Sequence, residues 1–495
     1  MGVALAAPAG PQAKSMAMTR RLFLPSLAAP LAVRMLPAHG RRNLVFILSD
    51  DHSAGALGCT GHPWLKTPQL DRMARRGVLF RNAFVTTSLC SPSRASILTG
   101  QYALAHGVYG NVDGLQPDAL TFPRLLQEHG YRTGFVGKWH MGESSDDPQP
   151  GFDRWVSVAG QGVYTDPLLN LVGVRLPSRG YTTDLLTGEA LRFIGARDPR
   201  PFCLFLSHKA VHNFCVPAGR HANLYSSDPI PTPASMPNTE ENYRGKPDWV
   251  RRQRNSWHGV DGMYDHAISF EDHYRDYCRT LMSLDESVGS VLNQLDSQGL
   301  LDDTLVMYMS DNGFQFGEHG LIDKRTMYEP SIRVPMIAHC PSLFGSGREV
   351  EGMALNIDIA PTLLEAAAVP VPETMHGRSL LGLVNGTTDW RTDFLYQYFW
   401  TREFPQTPTV VGLRTQRYSY MRYHGIWDLN EIYDLQRDPD EMRNLIGDTR
   451  VTTGAGSNLQ YIQDPDLRQL ASGFNERITQ ILGEIGGEID PDWLA

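Results

Sequence analysis

Two apolar runs in the sequence end in the same way. Leu44 to Leu48 runs into Ser49, Asp50 and Asp51, and the run in DDTLVMYMSDNG closes on Asp311, Asn312 and Gly313. Consecutive carboxylates after a buried strand cannot both enter an apolar core unpaired, because burying a lone charge is costly. Three carboxylates and an amide oxygen make an oxygen-rich ligand set of the kind that suits a hard divalent cation, Ca²⁺ or Mg²⁺. Any one of these residues also fits a helix N-cap; the repetition at two strand ends favours the cation. No Cys and His spacing of the zinc type accompanies them.

Other residues offer different chemistry. In Cys90-Ser91-Pro92-Ser93-Arg94 the proline fits the first turn of a helix, which places Cys90 at its positive end with Arg94 one turn on. Both features favour an anion at position 90, as a reactive thiolate or a bound oxyanion; the plain alternative is a small buried hydrophobe. Lys138 and His140 are two apart in GYRTGFVGKWHMG, on one face of an expected strand. A cation and a proton-transfer group side by side suit an anionic ester. His208 and His212 close the run PFCLFLSHKAVH, and Lys324 follows FGEHGLID in a glycine-containing loop.

Parallel strands and helices are needed to bring these groups together. Periodicity and breakers predict strands in RRNLVFILS, YRTGFVGKWH, PFCLFLS and DDTLVMYMS. They predict helices over 68–76, from Cys90, over FPRLLQEHG, over 182–196, and over FEDHYRDYCRTLMSLDESVGSVLNQLDSQG as one helix or two. Alternating strand and helix gives an α/β sheet flanked by helices, with ligands beyond the C-terminal strand ends. Residues 223–265 form a long irregular insertion rich in Pro, Asn and Gly. Beyond about residue 385, RTQRYSYMRYH and NEIYDLQRDPDEMRNLI suggest an antiparallel hairpin, a turn and a helix. The expected organisation is a leader over 1–40, a catalytic domain over 41–385 and a smaller α+β subdomain over 386–495.

The chain has 495 residues, 41% of them hydrophobic, and a net charge of -9, which describes a globular protein and argues against a non-specific nucleic-acid binder. Six cysteines, at 59, 90, 203, 215, 278 and 340, form no CxxC and no disulfide scaffold. Thr19-Arg20-Arg21-Leu22-Phe23-Leu24 opens the stretch LFLPSLAAPLAV, too short for a membrane span. It looks like a twin-arginine export signal, with a mature chain starting near residue 38 to 42 and a periplasmic or secreted destination without stable membrane insertion. The export machinery is then a transient partner.

NLVFILSDDH, CSPSRASILTG, GYRTGFVGKWHMG, SDNG and EHGLIDK, in that order, resemble the type I sulfatases of the alkaline phosphatase superfamily. The resemblance implies a large mixed β-sheet sandwiched by helices, and a C-terminal subdomain with a four-stranded antiparallel sheet. It implies conversion of Cys90 to Cα-formylglycine by a formylglycine-generating enzyme, and a hydrated aldehyde as the nucleophile. It assigns Asp50, Asp51, Asp311 and Asn312, with residue 90, to a metal, usually Ca²⁺. Arg94 would steady residue 90, Lys138 and Lys324 would clamp sulfate, and His140 would partner the hydrated aldehyde. His212 would stand near the leaving oxygen. Val211 before His212, and a proline only at 217, depart from the family pattern, so His208 remains a candidate for that role. Pro330 in YEPSIRVP departs too and should only shape a turn.

GHPWLKTPQLDRMARRGVLFRNAF, SPSRASILTGQY and SHKAVH together resemble the branch that contains the N-acetylglucosamine-6-sulfatases and related glycan sulfatases. The substrate implied is a sulfated sugar or another sulfate monoester, with the Trp-, Tyr- and His-rich stretches 255–264 and 398–427 available to stack on a ring or to pack between subdomains. Alternatives are a broad arylsulfatase, a formylglycine-dependent phosphonate monoester or phosphodiester hydrolase, and a non-catalytic anion- or glycan-binding relative. The last would be expected to lack Cys90, a metal ligand or Lys138, and none is missing.

Overall fold

A computed structural model describes residues 41–142, 145–424, 430–447, 459 and 462–486. The leader expected over 1–40 lies outside them. Among the described residues no helix is long and apolar enough to cross a membrane.

The run Asn43–Ser49 is the centre of the molecule. Its side chains alternate: Leu44, Phe46 and Leu48 belong to one apolar cluster, Val45 and Ile47 to another. A strand with apolar residues on both faces must be covered on both. On its two edges it pairs in parallel with Phe202–Ser207 and Thr304–Ser310. Arg132–Lys138 and Arg154–Val158 extend the parallel set beyond Phe202–Ser207. The sheet has ten described strands and is mixed: Met336–His339 joins Thr304–Ser310 antiparallel, and Leu168–Leu171 with Val174–Pro177 makes an antiparallel hairpin at the far edge.

Helices cover both faces. One cluster takes up Ile97 and Leu98 of the helix Cys90–Thr99 and Leu363 and Leu364 of the helix Ile359–Ala366. The other takes up Leu281, Leu284, Val288 and Val291 of the helix Phe270–Ser297, with Leu186 and Ala190 of Thr182–Ile194. The expected helix or helix pair after residue 269 is thus a single helix of 28 residues, capped by the Ser269 side chain on the Asp272 amide. Residues 223–265 hold only short helical turns, such as Glu240–Tyr243 and Asp248–Gln253.

The C-terminal region contains the antiparallel sheet Asp393–Tyr398, Val410–Thr415, Tyr418–Tyr423 and Glu431–Asp434. One expectation fails here. The segment after Asp434 is not a helix but a series of turns, because side chains satisfy the backbone locally. Asp438 accepts from the amides of Met442 and Arg443, and Asn444 Oδ1 from those of Ile432 and Ile446. The long helix of this region comes later, at Pro465–Glu484. A buried polar cluster joins the small sheet to the rest. Tyr328 donates to Glu431 Oε2 at 2.9 Å, Lys246 Nζ donates to the Tyr433 hydroxyl at 2.7 Å, and Glu431 is fully buried.

Candidate active site

Strand register builds the site. Ser49 lies opposite Ser310, Leu48 opposite Ser207, and Gly137 opposite Ser207, so four parallel strands end at one level. Asp50 and Asp51 therefore emerge beside Asp311 and Asn312. Asp51 has a left-handed backbone, φ 60°, and its amide donates to Asp311 Oδ1 at 3.2 Å. Carboxylate oxygens of Asp50, Asp51 and Asp311 lie within 4.8 Å of one another, and so do single donor atoms of Asp50, Cys90 and His212.

Three close buried carboxylates repel one another. Burial and the neighbouring Asp50 raise the Asp311 carboxyl to about 7. Burial would raise Asp50 as well, but Lys138, His212 and Arg94 hold it well below the usual carboxylate range. Lys138 Nζ pairs with Asp50 Oδ2, and Lys324 Nζ contacts Asp51 Oδ2 at 2.6 Å. Arg94 bonds Asp311 Oδ2 through Nε at 2.9 Å and Ser207 Oγ through Nη1 at 2.7 Å. The Asn312 amide donates to Asp51 Oδ1 and the Gly313 carbonyl, which leaves its Oδ1 buried without a partner. Three carboxylates and an unpartnered amide oxygen fit a hard divalent ion.

Cys90 opens its helix as expected, fully buried, with Sγ 3.6 Å from Asp50 Oδ1. Of the readings open for this side chain, its burial fits the small buried residue better than a reactive thiolate. Burial pushes the thiol up to about 12, and the lysines only partly oppose this.

His140 reaches the site by a different route from the one expected. The strand ends at Lys138, and His140 lies beyond it with φ 52°, so period-two geometry does not place it. Its ring is buried with Nδ1 unpartnered, and burial and then Lys138 push the imidazole well below its usual range. Of the two candidates near residue 210, His212 is the one at the carboxylates, with Nε2 3.8 Å from Asp51 Oδ2. Its Nδ1 faces the Asn213 carbonyl at 2.7 Å, so it carries the proton and leaves Nε2 for the site. His208 instead hydrogen-bonds Ser287 of the long helix at 3.0 Å, and burial pushes it down to about 3.

Two residues were missed. Gln161 Oε1 accepts from Lys138 Nζ at 2.5 Å, and Lys209 Nζ lies 4.8 Å from the centre of the Tyr164 ring, whose hydroxyl donates to the His212 carbonyl. Lys209 is 6% exposed, and burial followed by Lys138 lowers it to about 8. Both follow the ends of parallel strands, Arg154–Val158 and Phe202–Ser207, and that position was the available signal.

Known proteins share this arrangement of sequence and fold. A family model described as Sulfatase matches residues 42–369, and one described as N-sulphoglucosamine sulphohydrolase, C-terminal, matches residues 317–460. The N-acetylglucosamine-6-O-sulfatase of Bacteroides thetaiotaomicron is 32% identical over 92% of this chain and 92% of its own length. A solved structure of a protein in complex with its substrate D-glucosamine-2-N,6-O-disulfate superposes with a TM-score of 0.80, at 30% identity over 92% of this chain and 99% of that one. The phosphonate monoester hydrolase of Agrobacterium radiobacter shares the fold, with a TM-score of 0.74 at 21% identity over 90% and 96% of the two chains.

Proposed function

The chain belongs to the sulfatase family, whose members hydrolyse sulfate esters, and from that premise we propose that it removes sulfate from a sulfated sugar of the N-acetylglucosamine-6-sulfate type. The observation that carries the chemistry is the meeting of Cys90, Asp50, Asp51, Asp311 and His212 at one rim, lined by Lys138, Lys324 and Arg94. The sugar assignment is supported by the relative that shares 92% of both chains and by the neighbour bound to a disulfated glucosamine.

Residue 90 acts as Cα-formylglycine, whose hydrated aldehyde supplies the nucleophile toward sulfur. Its full burial supports this, since desolvation disfavours the thiolate of an unmodified Cys90. Asp50, Asp51, Asp311 and Asn312 would hold Ca²⁺, or Mg²⁺ as the other hard ion suited to this ligand class, and the ion would supply charge stabilisation at the sulfate. Lys138 and Lys324 neutralise the non-bridging oxygens, and Arg94 keeps Asp311 and the start of its helix in place. His140 takes a proton at residue 90, and His212, its Nδ1 proton held by the Asn213 carbonyl, delivers a second proton from Nε2 of the imidazolium to the leaving oxygen. Residues 41–385 form the catalytic body and 386–495 the subdomain. Residues 1–40 direct export, after a formylglycine-generating enzyme has acted.

The test has two parts. Protein co-expressed with a formylglycine-generating enzyme should show a loss of about 18 Da on the Cys90 peptide, the change from CH₂SH to CHO. That protein should then turn over N-acetylglucosamine 6-sulfate with higher catalytic efficiency than choline sulfate or a phosphonate monoester. Full activity with an intact cysteine would overturn the nucleophile, and a preference for the phosphonate would overturn the substrate.

A further inference from the structure

Two exposed aromatic side chains are linked, through chain adjacency and one His258–Asp323 contact, to the segments that carry His212 and Lys324. Phe214 is 46% exposed and Trp257 is 39% exposed, their ring centroids 6.2 Å apart at 88°. Both rest on Tyr264, which is 2% exposed, at centroid distances of 4.9 and 4.7 Å. The buried ring fixes the two exposed ones as a single shelf. Its burial also divides the aromatic stretch 255–264 between packing and a face left open.

The shelf is tied to the chemistry through both of its members. Phe214 follows His212 by two residues, a span of at most about 7 Å of chain. Trp257 precedes His258, whose Nδ1 is 2.9 Å from Asp323 Oδ1, and Asp323 is the neighbour of Lys324 in the chain. One aromatic thus belongs to the histidine segment and the other is anchored to the lysine segment. Large exposed apolar side chains cost solvation unless something covers them, and here the group next to the leaving oxygen is at hand.

We propose that Phe214 and Trp257 form the acceptor subsite, one ring stacking on the apolar C–H face of the sugar that carries the sulfate and the other, at a right angle to it, flanking the edge of that sugar. This rests on the sugar-sulfatase reading and adds which residues select the ring. Asn213 fixes the spacing, since its carbonyl accepts from His212 Nδ1 while the next residue contributes the shelf. Stacking holds the ring, His212 stands at the oxygen it releases, and Lys324 holds the sulfate.

The test separates ring from sulfate by using each as an inhibitor. Matured wild type, Phe214→Ala and Trp257→Ala are assayed with N-acetylglucosamine 6-sulfate, and inhibition is measured with desulfated N-acetylglucosamine and with inorganic sulfate. In each alanine variant the KM and the inhibition constant for the free sugar should rise about three- to tenfold, as for loss of an aromatic contact. The inhibition constant for sulfate should stay at the wild-type value, and Phe214→Tyr and Trp257→Phe should retain sugar inhibition. Unchanged sugar inhibition in both alanine variants overturns the shelf, as does an equal loss of sulfate inhibition, which marks a general collapse of the site. A wild type that turns over a nitrophenyl sulfate, with inhibition by inorganic sulfate, but desulfates no sugar overturns the sugar reading and the shelf with it. A wild type that desulfates the sugar while the variants match it overturns the shelf alone.

Discussion

At position 90, burial works against ionisation. A helix N-terminus and a nearby arginine suggest a reactive thiolate in the sequence, yet the side chain has no solvent exposure and its thiol is pushed up to about 12. Desolvation outweighs the helix dipole, which contributes well under a pKa unit in most settings. The same scale separates two histidines. His212 meets Asp51, and His208 is spent on Ser287. Replacing His212 by Asn should lower turnover of a sulfated sugar by about 10²- to 10⁴-fold, the usual range for loss of a proton donor. The loss should be much smaller with a nitrophenyl sulfate, whose leaving group needs no proton. Replacing His208 by Asn should cost about 1 kcal/mol of stability and leave relative rates on the two substrates unchanged. Equal losses on both substrates for His212→Asn would remove it from the leaving-group role.

Element geometry explains what could be foreseen and what could not. The carboxylates were legible because two apolar runs ended in acids and parallel register does the rest, pairing Ser49 with Ser310. The helix at Cys90 was legible from Pro92 in its first turn. His140 was found for a reason that does not hold: the strand stops at Lys138, and a left-handed residue aims the ring. Gln161 was invisible because an uncharged amide after a strand has no chemical signal of its own. Helix propensity misled after Asp434, where Asp438 and Asn444 side chains accept from backbone amides in place of helical carbonyls. Gly137 shows how tightly a strand can fix a catalytic group. It has φ 124°, and a Cβ there would stand 1.8 Å from the Ser207 carbonyl oxygen of the neighbouring strand. Gly137→Ala should destabilise the protein by at least about 2 kcal/mol and lower kcat through displaced Lys138. Thermal melting and steady-state kinetics check this; a variant with wild-type melting would mean the strands part without cost.

On the scale of the molecule, the small four-stranded sheet is joined to the insertion and to the loop after Lys324 by charge as well as by apolar packing. Lys246, from the long insertion, reaches Tyr433 and lies 3.9 Å from Glu431, and both of its strand-borne partners belong to the small sheet. Tyr328, a few residues past Lys324, donates to the same carboxylate. Breaking a buried ion pair by removing one partner strands the other charge. Lys246→Met should therefore cost about 3 kcal/mol in a urea titration, and a change below about 1 kcal/mol would show that the tyrosines alone satisfy Glu431. The cluster also constrains anyone who would recombine these sequences. A C-terminal segment grafted from a relative brings its own strand partner for position 431, and the graft is compatible only if the recipient's residues at 246 and 328 were inherited with it. The natural crossover unit for building hybrids of this protein is thus not the small sheet but a discontinuous set, the sheet plus the insertion and the loop that follows Lys324.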